Sequence, residues 1–258
     1  RANPIATFQD LRQYSPVLKM SALPIADASY PNKGTIVMSG HDDVVDALNR
    51  STKLTVRNYT KKMEESVGPF MLAYDGSQYN VKEKPWMRQM MPESDLPKIR
   101  KIVQKLIQES IDVQQYVGRS VDGKLFGRLE LVNEVARRVP IRLTGEYFGF
   151  PGPSLDKMYE WSRATQDDFF HNVKNDAKVR AAAIRAGDEM HSYLGSLIAE
   201  KKMKISSGKA DRADDILSRL VRNSLHETGN DFVDPVSPED DRIRTNVIGT
   251  LVGGVETT

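Results

Sequence analysis

The sequence predicts a mainly α-helical chain with a small β part, organised as one region over residues 1–258. Three observations predict it. Apolar side chains recur at a period of about 3.6 residues in several long stretches, most cleanly through Leu96, Ile99, Ile102, Val103, Leu106, Ile107 and Ile111. Only one short run, Thr35 to Ser39 between Gly34 and Gly40, is β-rich and bounded by glycines. Finally, neither a repeat nor a low-complexity segment divides the chain.

Taken in order, Thr35–Ser39 reads as a strand feeding a helix over His41 to Leu48. Gln78 to Gln89 is polar and charged with Trp86 and Met87 interleaved, and Pro92-Glu93-Ser94-Asp95 punctuates before a helix from Leu96 to Val117. A further helical pattern follows Gly127 to Val132 and stops at Gly149-Phe150-Pro151-Gly152-Pro153. Pro140 inside it predicts a kink or break. Ser154 caps a helix carrying Leu155, Met158, Tyr159 and Trp161, and Asn175 to Lys202 is a long amphipathic helix. Lys204 to Asp211 reads as a flexible connector before a shorter helix over Ala213 to Leu225. The last helix starts with Ser237 as cap, Pro238 at the first helical position, and Glu239 and Asp240 in the first turn, where acids complement the helix dipole. Its apolar face, Ile243, Val247, Ile248, Leu251, Val252 and Val255, meets no stop signal, so the helix reads as buried and cut rather than completed.

Lys+Arg 37 against Asp+Glu 35 leaves a net charge of +2, which provides no field for a nucleic-acid partner. With no cysteine, disulfides, thiolate metal sites and a cysteine nucleophile are excluded within these residues. The chain has no run of roughly 18 apolar residues, and Arg1 to Asp10 lacks a signal-peptide core, so a soluble, cytoplasmic protein is expected. His41, His171, His191 and His226 lie on separate predicted elements without metal-ligand spacing, and no phosphate-binding glycine motif is present.

The most informative segment is Gly253-Gly254-Val255-Glu256-Thr257. A glycine in a helix costs about 1 kcal/mol relative to alanine, so a pair calls for a reason. Either a ligand approaches the backbone or the helix opens there, with the acid and hydroxyl handling protons. The alternative is tight helix crossing, with Glu256 exposed and Thr257 bonded to an earlier carbonyl.

Together with the order of elements, this segment resembles the distal-helix signature of the cytochrome P-450 family, the haem-thiolate monooxygenases. Gly68-Pro69-Phe70-Met71-Leu72-Ala73-Tyr74-Asp75 ahead of a basic helix, and Tyr147-Phe148-Gly149-Phe150-Pro151-Gly152, are similar to further landmarks of that family. The resemblance implies a P-450-like fold covering the amino-terminal part of the catalytic domain, truncated within the long distal helix. The Glu-x-x-Arg helix and the loop carrying the axial cysteine are missing, so no metal ligand is expected in these residues.

It further implies haem b as cofactor, O2 and a small to medium organic substrate, and a ferredoxin or flavodoxin as electron donor. Glu256 and Thr257 are the implied catalytic pair: Glu256 relays protons from solvent and Thr257 hydrogen-bonds the reacting oxygen. Gly253 and Gly254 keep side chains out of the oxygen site, and Met71, Leu72 and Thr250 belong to the cofactor wall. The family's His and Arg toward the haem propionates fall on Tyr79 and Glu83. Tyr79 can still donate, Glu83 would repel a carboxylate, and Lys82 is the preferred substitute, with Lys84 and Arg88 behind it. Phe169, Phe170 and Val252 are implied substrate-lining residues, although at helical spacing residues such as Phe169, Phe170, Trp161 and Met158 are more often core than substrate contacts. The basic residues, with Arg100, Lys101 and Lys105, would face the donor. Two other functions fit the same residues: a hydroperoxide-rearranging or peroxide-using relative, and a haem-free helical binding domain.

Overall fold

The computed structural model describes residues 3–20, 35–50, 53–76, 78–113, 116–172, 174–207, 213–228 and 238–256. The amino-terminal part holds α1 (Pro4–Tyr14), β1 (Val17–Met20), β2 (Thr35–Met38) and α2 (His41–Asn49). Asn3 caps α1 by accepting from the amides of Ile5 and Ala6. β1 and β2 pair antiparallel, with Val17 opposite Met38 and Met20 opposite Thr35. The predicted strand and helix at residues 35–48 are therefore present. Their partners β1 and α1 went unread, because four residues of Val-Leu-Lys-Met show no period and α1 buries no residue.

The helical body follows as α3 (Arg57–Ser66), a 3-10 turn at Met71–Ala73, a π-helical turn at Gln78–Glu83, α4 (Lys84–Met90), α5 (Leu96–Asp112), β3 (Tyr116–Arg119) and β4 (Leu125–Gly127). Asp75 accepts from the amide of Val56, and Thr60 Oγ1 donates to Ala73 O at 3.0 Å, which folds the 67–76 segment back onto α3. The helix expected to run to Val117 ends at Asp112. Beyond it β3 and β4 form a hairpin around Gly123, whose φ of +80° suits glycine. Tyr116 and Val117 extend the apolar rhythm of α5 in sequence, and that rhythm masked the Asp122-Gly123 turn signal.

A π-helical turn at Val132–Arg137 runs into α6 (Arg138–Glu146), and Pro140 sits within α6. The expected kink or break is thus a change of helical pitch just before the proline, where its missing N–H is tolerated. Gly149, at φ +77°, ends this stretch as predicted. Next come α7 (Leu155–Gln166), capped by Ser154 Oγ on the Lys157 amide at 3.1 Å, and a π-helical turn at Asp167–His171. α8 (Ala177–Ser206) is capped by Asp176, α9 spans Ile216–Thr228, and α10 spans Pro238–Val255. α8 continues through Lys204 to Ser206, which corrects the connector expected from Lys204; residues 208–212, like Ser237, lie outside the described residues.

α10 is the axis of the body and packs against α6, α7, α8 and α9. Ile243, Val247, Ile248 and Leu251 are fully buried, and Val252 and Val255 nearly so. Each such side chain contributes about 1.5–3 kcal/mol relative to exposure, so this face is a principal stabiliser. Trp161 and Met158 are buried in the same core. Among the described residues no helix is long and apolar enough to cross a membrane.

Candidate active site

Three glycines on α10 have different surroundings. A Cβ on Gly249 would lie 2.4 Å from Phe70 Cδ2, so this glycine permits close approach of the 67–76 segment. A Cβ on Gly253 or Gly254 would meet nothing within 4 Å. The close-packing role therefore belongs to Gly249, against the extended Phe70 rather than another helix, and among the described residues the glycine pair instead fronts open space.

Glu256 follows after Val255, with its side chain 16% exposed. Arg163 of α7 donates to Glu256 Oε2 at 3.2 Å and pairs with Asp167 at 3.2 Å one turn further on. The neighbouring Asp167 carboxylate, then Glu256, hold the Arg163 guanidinium pKa above its ordinary value. Glu256 Oε1 is buried and has no hydrogen-bond partner among the described residues. A buried orphan acceptor costs about 1–3 kcal/mol, so a donor belongs there. Thr257 lies outside the described residues.

α7 makes a second contact with the same turn: Gln166 Nε2 donates to the carbonyl of Val252, and both residues are buried. Thr250 Oγ1 donates to Val247 O at 2.6 Å and is thereby committed to its own helix. Phe169 is buried, whereas Phe170 is 44% exposed and tilts against Tyr59 at 5.3 Å. Beneath this π-helical turn, fully buried Asp168 pairs with Arg180 at 2.5 Å, and Lys62 Nζ donates to the carbonyls of Asp168 and Asn172. Burial pushes the Lys62 pKa down.

On the other side of α10, Met71 is half-buried and Leu72 is 47% exposed. The backbone of Tyr79 belongs to the π-helical turn at Gln78–Glu83; its side chain lies outside the described residues. Lys82 and Arg88 are exposed. Glu83 is buried against α10, where Arg242 Nε and Asn246 Nδ2 each stand 3.3 Å from its Oε2 and Arg242 covers the Trp86 ring at 3.9 Å. Its charge is thus compensated by α10. Of the basic residues expected to face a donor, Arg100 and Lys101 are exposed, but Lys105 lies 3.8 Å from Glu109 and 3.6 Å from Glu146.

Neither Arg163 nor Gln166 stood out in sequence. Arg163 and Asp167 share an i,i+4 spacing proper to any helix, and nothing in it points to Glu256.

No family model matches the chain. Over 167 residues it is 27% identical to mycinamicin IV hydroxylase/epoxidase of Micromonospora griseorubida, covering 64% of this chain and 33% of that protein. Among solved structures, the cytochrome P-450 enzyme CxnD for C–S bond formation in chuangxinmycin biosynthesis superposes with a TM-score of 0.67 at 21% identity, covering 99% of this chain and 55% of that one. CalO2 superposes with a TM-score of 0.65 at 16% identity, covering 99% and 56%. The chain has the cytochrome P-450 fold. In it, α10 takes the place of the distal helix, and the P-450 fold here spans a third of the curated relative's length and about half the length of the solved ones.

Proposed function

We propose that these residues form the distal wall of a haem pocket in a P-450 monooxygenase that oxidises a small to medium organic substrate. One observation carries the reading: among the described residues, the bare backbone at Gly253 and Gly254 fronts open space two to three positions before a carboxylate with one buried, unpartnered oxygen. Haem b is the group this wall would hold, with Gly253 and Gly254 leaving room for it. When bound, haem supplies the activation of O2 for insertion of oxygen into a C–H bond.

The chain's own residues position and protonate. Arg163 fixes Glu256 Oε2, which leaves Oε1 as the atom that receives and passes a proton. Thr257 adds a hydroxyl one residue on. Gly253 and Gly254 keep the space free, Met71, Leu72 and Thr250 extend the wall, and Phe169, Phe170 and Val252 supply apolar surface to a substrate. Lys82 and Tyr79 serve the acidic edge of the cofactor, with Glu83 withdrawn to Arg242. Exposed Arg88, Arg100 and Lys101 offer positive charge to an acidic ferredoxin or flavodoxin. The similarity to mycinamicin IV hydroxylase/epoxidase agrees with this class of reaction.

The test is the absorption spectrum of the reduced natural protein with carbon monoxide, followed by turnover with NADPH and a ferredoxin system. A thiolate-type Soret band with donor-dependent product supports the proposal. Absence of the band, or turnover only when peroxide is added, overturns it.

A further inference from the structure

The end of α3 and the residues after it, 66–70, are held from two sides. On α8, a Cβ at Gly187 would overlap the carbonyl of Ser66, so the chain passes directly over that helix. One turn further along α8, His191 Nε2 lies 3.0 Å from the carbonyl of Val67, the residue that ends α3. A carbonyl only accepts, so Nε2 carries the hydrogen and Nδ1 of the neutral ring does not. From α10, Thr245 fills the space that a Cβ on Gly68 would need, and Gly249 admits the Phe70 ring. Of these contacts only the one at His191 involves a titratable group. Met71–Ala73 follow directly, so the hold on 66–70 also decides where Met71 and Leu72 stand.

The surroundings treat the two states of the ring unequally. Burial disfavours the charged ring, and Arg244, with its side chain 17% exposed, adds a cation from α10. The Val67 carbonyl at the end of α3, Asp241 of α10 and Asp188 of α8 favour the charged ring. Both carboxylates are exposed and screened by solvent, and Asp241 is already paired with Arg244, so burial and Arg244 prevail. A charged ring is therefore better accommodated when the 66–70 segment lifts and water reaches it. We infer that His191 is a positioning residue and a pH-sensitive latch: the neutral ring holds the 66–70 segment on α8, and protonation releases it. The latch rests on these contacts alone; its bearing on a haem-facing wall at Met71 and Leu72 rests on the monooxygenase reading.

The experiment is hydrogen exchange on the natural protein at about pH 7.5 and about pH 5.5, either side of the ordinary histidine range, with each rate divided by its intrinsic value at that pH. The amides of Gly68, Ala73 and Tyr74, bonded to the carbonyls of Met63, Phe70 and Met71, report on the segment. Wild type is expected to lose about tenfold in protection there at the lower pH and nothing over α5. His191→Gln keeps a donor that does not titrate and is expected to hold the protection at both pH values. His191→Phe removes the donor at similar ring size and is expected to lack the protection at both. Arg244→Met removes the neighbouring cation and is expected to shrink the pH response. Equal protection at the two pH values in wild type, the wild-type response in His191→Gln, or loosening spread evenly over α5 overturns the inference. If His191→Phe fails to fold, the Gln and Met variants still decide. Haem absorbance of the same samples tests the monooxygenase reading separately: its absence removes that reading, while the exchange data alone decide the latch.

Discussion

Arg163 of α7 reaches across 93 positions of sequence to hold Glu256 Oε2 at 3.2 Å, while Oε1 of the same carboxylate is buried without a partner among the described residues. One oxygen is therefore anchored and the other available. If this carboxylate passes protons, Glu256→Gln lowers product formation by about a hundredfold, the low end of general acid–base contributions. Arg163→Gln keeps the acid but frees it, and is expected to cost about tenfold. Product formed per NADPH consumed checks both; equal yields in the variants and wild type would remove Glu256 from the proton path.

The glycines of α10 separate packing from function. Gly249→Ala drives a Cβ into the Phe70 ring and should destabilise by about 1–3 kcal/mol. Gly253→Ala and Gly254→Ala meet no neighbour and should leave the protein as stable or up to about 1 kcal/mol more so. Urea unfolding of the three variants measures this ordering. Under the proposed function the two neutral substitutions also weaken haem-dependent turnover, which Soret absorbance and product yield follow.

His191 predicts a pH dependence. Its Nε2 lies 3.0 Å from the carbonyl of Val67, and burial holds its pKa below the ordinary 6.5; Arg244 lowers it further, while the Val67 carbonyl, Asp241 and Asp188 oppose the shift. The folded state thus binds fewer protons than the unfolded state below about pH 6.5, and stability must fall as pH drops through that window. Above it this group contributes no slope. Urea midpoints from about pH 8 to about pH 5 should decline less for His191→Gln, which retains a donor toward Val67.

Asp168 is fully buried beneath the turn carrying Phe169 and Phe170, 2.5 Å from Arg180. Asp168→Asn leaves Arg180 with Glu65 and the Lys61 carbonyl and is expected to cost about 3 kcal/mol, because removing the buried partner leaves a largely desolvated charge under-compensated. Thermal unfolding should show the loss. Lys62→Met, which removes donors to two carbonyls, should cost less, because Lys62 itself carries a burial penalty.

How far the sequence reached varied with the kind of contact. Long periodic stretches such as Leu96–Asp112 and Pro238–Val255 were legible, since one apolar face every 3.6 residues leaves little choice of structure. Short elements were not: β1, α1, α3 and the β3–β4 hairpin lack a period or are masked by a neighbour's. The Gly-Gly-Val-Glu segment stood out in the sequence, because two adjacent helical glycines are costly enough to need a reason.

By itself, then, the sequence determined the mainly helical class, the burial of α10 and the location of the glycine pair, all through local periodicity and local backbone cost. Tertiary structure alone decided that Gly249 serves packing while Gly253 and Gly254 front open space, that Glu83 turns to Arg242, and that Arg163 and Gln166 grip the end of α10. Those outcomes depend on which helix ends meet, and the i,i+3 and i,i+4 spacings within one helix carry no information about its neighbours.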